Sequence, residues 1–369
     1  MAAPRRSVAR GQRDSGLDAA RALAMALVVA GHAAVSFMVT PVGWAIQDRS
    51  QNLGVDLCAW VIRAFAMPMF FWLSGYWSRA VMQRGGLGGF LRNRATRIFA
   101  PLAIGLVPCS LLLDALWDCG RAVGGRGVVA ANIPKLKPSE LSIGLGHLWF
   151  LYYLLLLSLA AVVATRLVAR VRRADVAARL PALTLPAIAI AAALLAIDAL
   201  QPDTPLGFVP DLAILVYSGG FFAWGWLVHA RPDELERYRY HAWRVLAIAP
   251  AFLAIVCMTL YRGLDTTTDP PGYAVVASGA FSVLCITGLL GLCARESDRP
   301  RALVRLGADA SYWCYVMHLP IVVALQIALA HVALPGIVKY LAIVAVTIAA
   351  CVASYAAFRG VRRSIRRHA

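Results

Sequence analysis

Ten stretches of the chain are apolar for long enough to cross a lipid bilayer, and this limits the fold more than any other feature. Inside the hydrocarbon core the backbone must satisfy its own hydrogen bonds, so such stretches fold as helices of about 20 residues. We therefore predict an all-α, polytopic membrane protein with a single membrane domain over residues 1–369. The predicted spans are 17–39, 56–78, 98–117, 146–165, 182–200, 211–229, 243–261, 272–293, 309–330 and 335–358.

The charge of the chain is divided unevenly between the two sides of the membrane that these spans define. Hydrophobic residues make up 60% of the chain and the net charge is +17, which in a soluble protein would suggest nucleic-acid binding. With a cytoplasmic N-terminus, the inner segments hold 27 of the 36 Lys and Arg residues and the outer segments hold 7. This asymmetry predicts that both termini are cytoplasmic, and it accounts for the charge without a nucleic-acid partner. Residues 1–16 and 359–369 then form basic cytoplasmic tails, and residues 118–145 form an outer loop.

The first predicted span carries a charged residue and a histidine on one helix face. Arg21 and His32 are eleven residues apart, which in an α-helix is three turns plus about 20°, or about 16 Å along the axis. Ionisable groups at membrane depth are costly and mark functional sites. Because imidazole titrates near neutrality, His32 is a candidate general base. Two plainer interpretations stay open: His32 bonds a neighbouring helix, and Arg21 extends to the interface or pairs with Asp18.

The second and third spans add charged residues, of which Arg63 lies near the predicted depth of His32. Asp56 precedes Arg63 by seven residues on the same face, and Asp114 lies near the outer end of the third span. If the first two helices pack as an antiparallel hairpin, these side chains form one catalytic cluster. A carboxylate, Asp56 or Asp114, would orient the imidazole, and the Arg63 cation would stabilise an oxyanion. The alternative is that Arg63 and Asp56 form a purely structural ion pair.

Arginines and glycines crowd the inner loop between the second and third spans. Arg94 and Arg97 are three residues apart on the entering helix, which suits a grip on phosphate or carboxylate, and Arg79 lies at the other end of the loop. Glycine pairs at 85–86 and 88–89 allow the backbone to approach a ligand closely. The segment therefore predicts a cytoplasmic site for a phosphate-bearing donor such as coenzyme A. Ordinary positive-inside charge is the alternative explanation of these arginines.

Aromatic residues and histidines cluster at the start of the fourth span and within the ninth. The candidate substrate-binding residues among them are His147, Trp149, Tyr153, Tyr315 and His318. In the fourth span they suit either an interfacial aromatic belt or a platform on which sugar rings stack. In the ninth span Pro320 frees the carbonyl of Val316, and a core histidine bonded to such a carbonyl is the plainer interpretation of His318. The eight cysteines show no paired spacing, so no metal site is predicted.

Taken together, these segments resemble the acyltransferase 3 family of integral membrane acyltransferases. Within the family the segment 62–71 is most similar to the osmoregulated periplasmic glucan succinyltransferases, although Arg63 and Ala66 stand where those proteins often carry His and Arg. The resemblance covers most of the chain. It rests on Arg21-x10-His32, Phe70-Phe71-Trp72-Leu73-Ser74-Gly75-Tyr76, the segment 90–98, His147-Leu148-Trp149-Phe150-Leu151 and the segment 311–320.

The resemblance implies a multi-pass enzyme of the bacterial inner membrane. It implies transfer of an acyl group, succinyl or acetyl, from cytoplasmic acyl-CoA to a hydroxyl of an extracytoplasmic glycan or lipid. The donor is a co-substrate, so no tightly bound cofactor is expected, and the partners are membrane lipids, acyl-CoA and the acceptor glycan, with a homodimer left open. His32 would act as base or as a covalent acyl carrier, and Arg21 and the loop arginines would hold coenzyme A. The rival hypothesis is a glycan or lipid transporter without acyl-transfer chemistry.

Overall fold

The computed structural model describes residues 15–40, 42–124, 144–170, 183–263, 269–295 and 302–368. In these ranges the chain forms ten α-helices and no strand. The helices are α1 (Ser15–Ala34), α2 (Leu53–Arg94), α3 (Ala100–Val123), α4 (Trp149–Arg170), α5 (Thr184–Ile197), α6 (Leu212–His229), α7 (Pro232–Gly263), α8 (Gly272–Arg295), α9 (Ala302–Leu329) and α10 (Gly336–His368).

Each predicted span corresponds to one of these helices, which confirms the all-α, polytopic membrane fold. In the part of the chain that the structure describes, eight segments are long and apolar enough to cross a membrane, and one of them is the 71-residue segment Leu53–Val123. At 1.5 Å per residue that segment is about 105 Å long, several times the thickness of a bilayer core, so it must turn back on itself. Helix α5 lies outside these eight segments, because it has only 14 residues. It ends where Asp198 adopts a left-handed conformation with φ 54°.

The reversal within Leu53–Val123 occurs at Gly86, whose φ of 58° and ψ of −165° interrupt α2. Only glycine adopts this conformation at little cost. Ser78 and Arg94 each lie eight residues from Gly86, so the bend brings the two side chains face to face. The other glycines of this stretch are Gly85, Gly88 and Gly89. A Cβ atom added at any of the four would have no described atom within 4 Å, apart from chain neighbours and the backbone of its own helix. These glycines therefore belong to a bend and not to a close contact.

The helix ends gather at two faces of the bundle, which we name the inner and outer ends after the predicted orientation. At the outer end, the carboxylate of Asp56 at the start of α2 accepts a hydrogen bond from the backbone N–H of Thr40, at 2.9 Å. At the inner end, Arg359 of α10 pairs with Asp309 of α9 at 3.5 Å. The membrane side that each end faces stays a prediction. Residues 1–14 of the basic tail and 125–143 of the outer loop lie outside the described residues.

Helix α1 lies at the centre of the bundle and packs against α2, α8, α9 and α10. Helices α2 and α6 also approach each other closely, where Gly75 faces the carbonyl of Phe222 and Gly225 faces the carbonyl of Trp72. Small residues allow membrane helices to approach closely, since packing rather than water exclusion holds them together. The central position of α1 holds the helix face that carries Arg21 and His32 against the neighbouring helices.

Candidate active site

Three histidines from three different helical segments meet near the outer end of the bundle. The ring centroid of His32 on α1 lies 5.0 Å from that of His318 on α9. The His318 ring lies 5.6 Å from that of His147, which sits on the short 3₁₀ turn Gly146–Leu148 before α4. The sequence-predicted base and two of the predicted substrate-binding residues therefore form one cluster, which we call the histidine cluster.

Backbone carbonyls fix the protonated nitrogens of all three imidazoles. His32 Nδ1 lies 2.9 Å from the Val28 carbonyl, and a carbonyl can only accept, so in the neutral ring Nε2 carries the lone pair. His318 Nδ1 lies 2.8 Å from the Tyr315 carbonyl and 3.1 Å from that of Cys314. His318 Nε2 is buried and has no hydrogen-bond partner among the described residues. His32 and His318 thus each present an Nε2 that can accept a proton.

The carbonyl that Pro320 frees is bound by a histidine, as expected, but this histidine is His147 and not His318. The Val316 carbonyl, which the proline removes from the helix ladder, accepts a hydrogen bond from His147 Nε2 at 3.0 Å. The hydroxyl of Tyr315 donates to the backbone carbonyl of His147. These two bonds tie the start of α4 to α9, and they place His147 against His318. His318 is a buried histidine bonded to backbone carbonyls, as the plainer interpretation expected, but these are the carbonyls of Cys314 and Tyr315 and not that of Val316.

Two residues that the sequence analysis overlooked complete the surroundings of His32. Trp44, in the segment between α1 and α2, has its ring centroid 6.2 Å from that of His32. The buried Gln326 of α9 accepts from the Trp44 indole N–H at 2.8 Å, and its amide nitrogen donates to the His32 carbonyl at 3.1 Å. The sequence did hold a signal for Gln326, since it is a polar residue within the apolar span 309–330, where polar groups are costly.

A cavity extends from the inner end of the bundle toward this cluster. Two cations face it: Arg94, which is 7% exposed, and Arg21, whose side chain is 17% exposed. Arg94 donates to the hydroxyl of Ser78 at 3.2 Å, across the bend at Gly86. The lining residues come from α1, α2, α4 and α9 and are Arg21, Phe70, Leu73, Ser74, Trp77, Arg94, Phe150, Ser311, Tyr312 and Tyr315.

Tyr315 belongs both to the wall of this cavity and to the histidine cluster. Its ring lies 5.3 Å from Phe150 on the cavity side and 5.9 Å from His318 on the cluster side, measured between centroids. Along α1, the cavity residue Arg21 and the cluster residue His32 are about 16 Å apart. Cationic groups near the inner end are therefore joined to proton-accepting groups near the outer end through one line of side chains.

The other predicted donor-site arginines lie away from the cavity. Arg97 is exposed at the start of the third span, although it follows the buried Arg94 by only three residues. Arg79 points to the opposite side of α2, where its guanidinium lies 5.9 Å from the ring centroid of Trp226. The structure therefore does not bring Arg94 and Arg97 together as a clamp, and Arg21 takes the second position beside Arg94.

The charged residues expected beside His32 have other partners. The Arg63 guanidinium donates to the Pro202 carbonyl at 2.7 Å and lies 3.5 Å from Asp203, so the alternative, a structural pair with Asp56, is not formed either. The Asp56 carboxylate accepts hydrogen bonds from backbone N–H groups of the segment after α1. The nitrogen of His32 that a carboxylate was expected to orient, Nδ1, is bonded to the Val28 carbonyl instead. Asp114 is exposed on α3.

The predicted aromatic platform on α4 is split between two faces. Phe150 faces the cavity, whereas the ring of Trp149 packs against Phe71 and Tyr153, at centroid distances of 6.0 and 5.7 Å. Tyr153 is fully buried, and its hydroxyl accepts from the backbone N–H of Asp211 at 2.9 Å. These contacts give Trp149 and Tyr153 packing partners on the side toward α2 and α6. Among the described residues, no group of three or more His, Cys, Asp and Glu side chains is arranged to hold a metal ion.

Comparison with known proteins gives one family and one group of relatives. The acyltransferase domain of the acyltransferase 3 family matches residues 14–356. The glucans biosynthesis proteins C of Escherichia coli strain K12 and of Escherichia coli O1:K1 / APEC are 28% identical to the chain over 149 residues. These matches cover 40% of this chain and 37% of each relative, so the chain matches well under half the length of the curated relatives. No solved structure matches the chain.

Proposed function

We propose that this chain, which belongs to the acyltransferase 3 family of membrane acyltransferases, passes an acyl group through the membrane to a glycan. The donor is a cytoplasmic acyl-CoA, succinyl-CoA or acetyl-CoA, and the acceptor is a hydroxyl of an extracytoplasmic glycan such as an osmoregulated periplasmic glucan. The observation that carries the proposal is that Tyr315 joins the Arg21 and Arg94 cavity to the histidine cluster.

The cavity suits a donor that is anionic at one end and extended at the other. Coenzyme A has phosphate groups at its nucleotide end, for which arginine is a favourable partner because its planar fork forms charge-assisted hydrogen bonds. Beyond Arg21 and Arg94 the lining becomes aromatic and hydroxylic, with Phe70, Phe150 and Tyr315. A pantetheine arm laid along this path would carry the thioester toward His32, which lies about 16 Å from Arg21 along α1.

His32 is the general base in this proposal. Its Nε2 takes the proton of the acceptor hydroxyl, the hydroxyl oxygen forms an ester bond to the thioester carbonyl, and the C–S bond breaks. The coenzyme A thiolate leaves and receives the proton from His32, so the imidazole returns to its neutral form. A positioned base of this kind contributes about 10²–10⁴-fold to the rate. In a two-step variant, His32 Nε2 attacks the thioester carbonyl and the coenzyme A thiolate leaves. The acceptor hydroxyl then attacks the acyl carbonyl, the C–N bond to His32 breaks, and the hydroxyl proton passes to the thiolate.

His318 supports His32 in the same reaction. The His318 ring centroid lies 5.0 Å from that of His32. His318 Nε2 is buried and has no hydrogen-bond partner among the described residues, and a buried polar atom without a partner is costly. A hydrogen-bond donor of the bound substrate, such as its hydroxyl, would satisfy it, because His318 Nδ1 already carries the ring proton. A transporter without acyl-transfer chemistry is disfavoured by membership of the acyltransferase 3 family.

Acyl transfer by the purified protein tests the proposal. The full chain in lipid nanodiscs is given acyl-CoA labelled in the acyl group, together with a glucan, and label in the glycan is counted. We expect transfer by the wild type and a loss of at least about 10²-fold in His32→Ala, with unchanged thermal unfolding. Wild-type protein that binds glucan and moves no label from either donor would contradict an enzyme and favour the transporter.

A further inference from the structure

Two tryptophans form a half-buried aromatic pair on the outer side of His32. Trp44 comes from the segment between α1 and α2, and Trp117 comes from α3. Their ring centroids are 5.2 Å apart and their planes are inclined by 68°. The Trp44 ring lies 6.2 Å from His32 with planes inclined by only 32°. The pair therefore places two half-buried aromatic rings beside the candidate base.

The hydrogen bond of Trp44 distinguishes it from an ordinary interfacial tryptophan. Tryptophans of the membrane interface keep their polar N–H at the wet boundary and their apolar body in lipid. The Trp44 N–H points inward instead, to the Gln326 side chain at 2.8 Å. Gln326 is 3% exposed and also donates to the His32 and Ala33 carbonyls, both at 3.1 Å. The indole orientation is thus set by the same residue that holds the end of α1 at His32.

The segment that carries Trp44 is anchored at two points just after this residue. Gly120 of α3 lies so close to the Ala45 carbonyl that a Cβ atom would not fit, and this contact sets Trp117 beside Trp44. Four residues after Trp44, the buried Asp48 pairs with Lys339 of α10 at 2.7 Å. A rigid pair of aromatic rings is a binding surface with little conformational entropy to lose.

We propose that Trp44 and Trp117 form the acceptor subsite, on which a sugar ring of the glycan stacks. The inference rests on the proposed function, because it names the part of the site that the acceptor occupies. The C–H face of a sugar ring is apolar and buries area against an aromatic face, while its hydroxyls project from the edge. A ring seated against Trp44 and Trp117 presents such a hydroxyl to His32 Nε2. Gln326 is a positioning residue that acts through Trp44.

The test compares tryptophan variants in binding and in kinetics. The variants Trp44→Ala, Trp117→Ala and the conservative Trp44→Phe are prepared as full chains in nanodiscs. The matched control is Trp243→Ala, since Trp243 is 62% exposed on α7, distant in sequence from the cluster. The probes are maltopentaose, cellopentaose and laminaripentaose. Calorimetric binding without donor is measured first, and then the KM for the acceptor and the KM for acyl-CoA.

We expect at least one pentasaccharide to bind the wild type. Each alanine variant should raise the acceptor Kd and KM about tenfold or more, and Trp44→Phe should raise them less because a ring remains. The KM for acyl-CoA should stay within about twofold, and the Trp243→Ala control should match the wild type. A Gln326→Leu variant should raise the acceptor KM while its donor KM is preserved.

The outcomes separate this inference from the proposed function. If no pentasaccharide binds the wild type, or if binding is unchanged in both alanine variants, the acceptor subsite is overturned. If the alanine variants raise the donor and acceptor KM equally, Trp44 and Trp117 act only on the fold of the cluster, and the subsite is likewise overturned. Glucan binding that depends on the tryptophans, in a protein that transfers no acyl group, would support the subsite and refute the enzyme.

Discussion

Arg94 and Arg97 offer a sharp comparison, because both are arginines of one short segment and only one faces the cavity. Arg94 is 7% exposed and lines the cavity, whereas Arg97 is exposed outside it. We predict that Arg94→Gln weakens donor binding and that Arg97→Gln does not. The two substitutions remove the same charge three residues apart, so any effect of net charge on the membrane or on the local potential is common to both.

The size of the Arg94 effect follows from its surroundings. A hydrogen bond to a charged group contributes about 1.5–3 kcal/mol, which corresponds to a rise of about 10- to 150-fold in the KM for acyl-CoA. The lost bond to Ser78 adds little, because the Ser78 hydroxyl still donates to the Ser74 carbonyl at 2.6 Å. An exposed charge such as Arg97 is screened by water and salt, so its removal should change the KM by less than about twofold.

Initial rates of acyl transfer at varied acyl-CoA and fixed saturating glycan measure this comparison. The kcat of Arg94→Gln should fall less than its kcat/KM, since a phosphate contact acts mainly through ground-state binding. Ser78→Ala serves as a control that removes the hydrogen bond and keeps the charge, and its donor KM should stay near that of the wild type. Equal changes in the Arg94 and Arg97 variants, or an unchanged donor KM in Arg94→Gln, would refute this account of the donor site.

Two further predictions concern stability, measured as the apparent Tm in detergent. Gly225→Ala should lower the Tm, because the new methyl group meets the Trp72 carbonyl and overpacking costs about 1–3 kcal/mol. Gly88→Ala is the control, since the space around Gly88 is open. Equal Tm values for the two variants would contradict the close contact between α2 and α6. Lys339→Met should destabilise strongly by leaving Asp48 as a lone buried charge, at about 3–5 kcal/mol, and the double variant with Asp48→Asn should recover most of this loss. A double variant as unstable as the single one would show that the ion pair is not the cause.

The helices could be predicted from the sequence because the bilayer leaves the backbone few choices. The ten apolar stretches correspond to the ten helices of the described residues, and the predicted span 182–200 became the short α5 that ends at Asp198. The bend at Gly86 was missed as a bend, since the glycines were interpreted as a place for close approach to a ligand. Glycine permits both uses, and only the neighbouring atoms decide between them.

The candidate site could be predicted only in part, because depth in the membrane does not determine which helix faces which. Arg63 has nearly the predicted depth of His32, yet it binds the segment at Pro202 instead. His318 and His147 were identified as candidates, but their meeting depends on the Val316 carbonyl and on helix rotation, which one sequence does not reveal. Trp44 lies in a connecting segment without periodicity, so its place beside His32 had no signal of its own.

Acyl transfer across a sealed membrane tests the central claim most directly. The full chain is reconstituted into liposomes that enclose a glucan, labelled acyl-CoA is added outside, and label in the enclosed glycan is counted for the wild type and for His32→Ala. The fraction of chains with their cytoplasmic face outward sets the maximum signal. We predict that the wild type labels the enclosed glycan without leakage of acyl-CoA and that His32→Ala does not. Label that appears only when donor and glycan share one compartment, or equal labelling by His32→Ala, would contradict transfer through the membrane at this site.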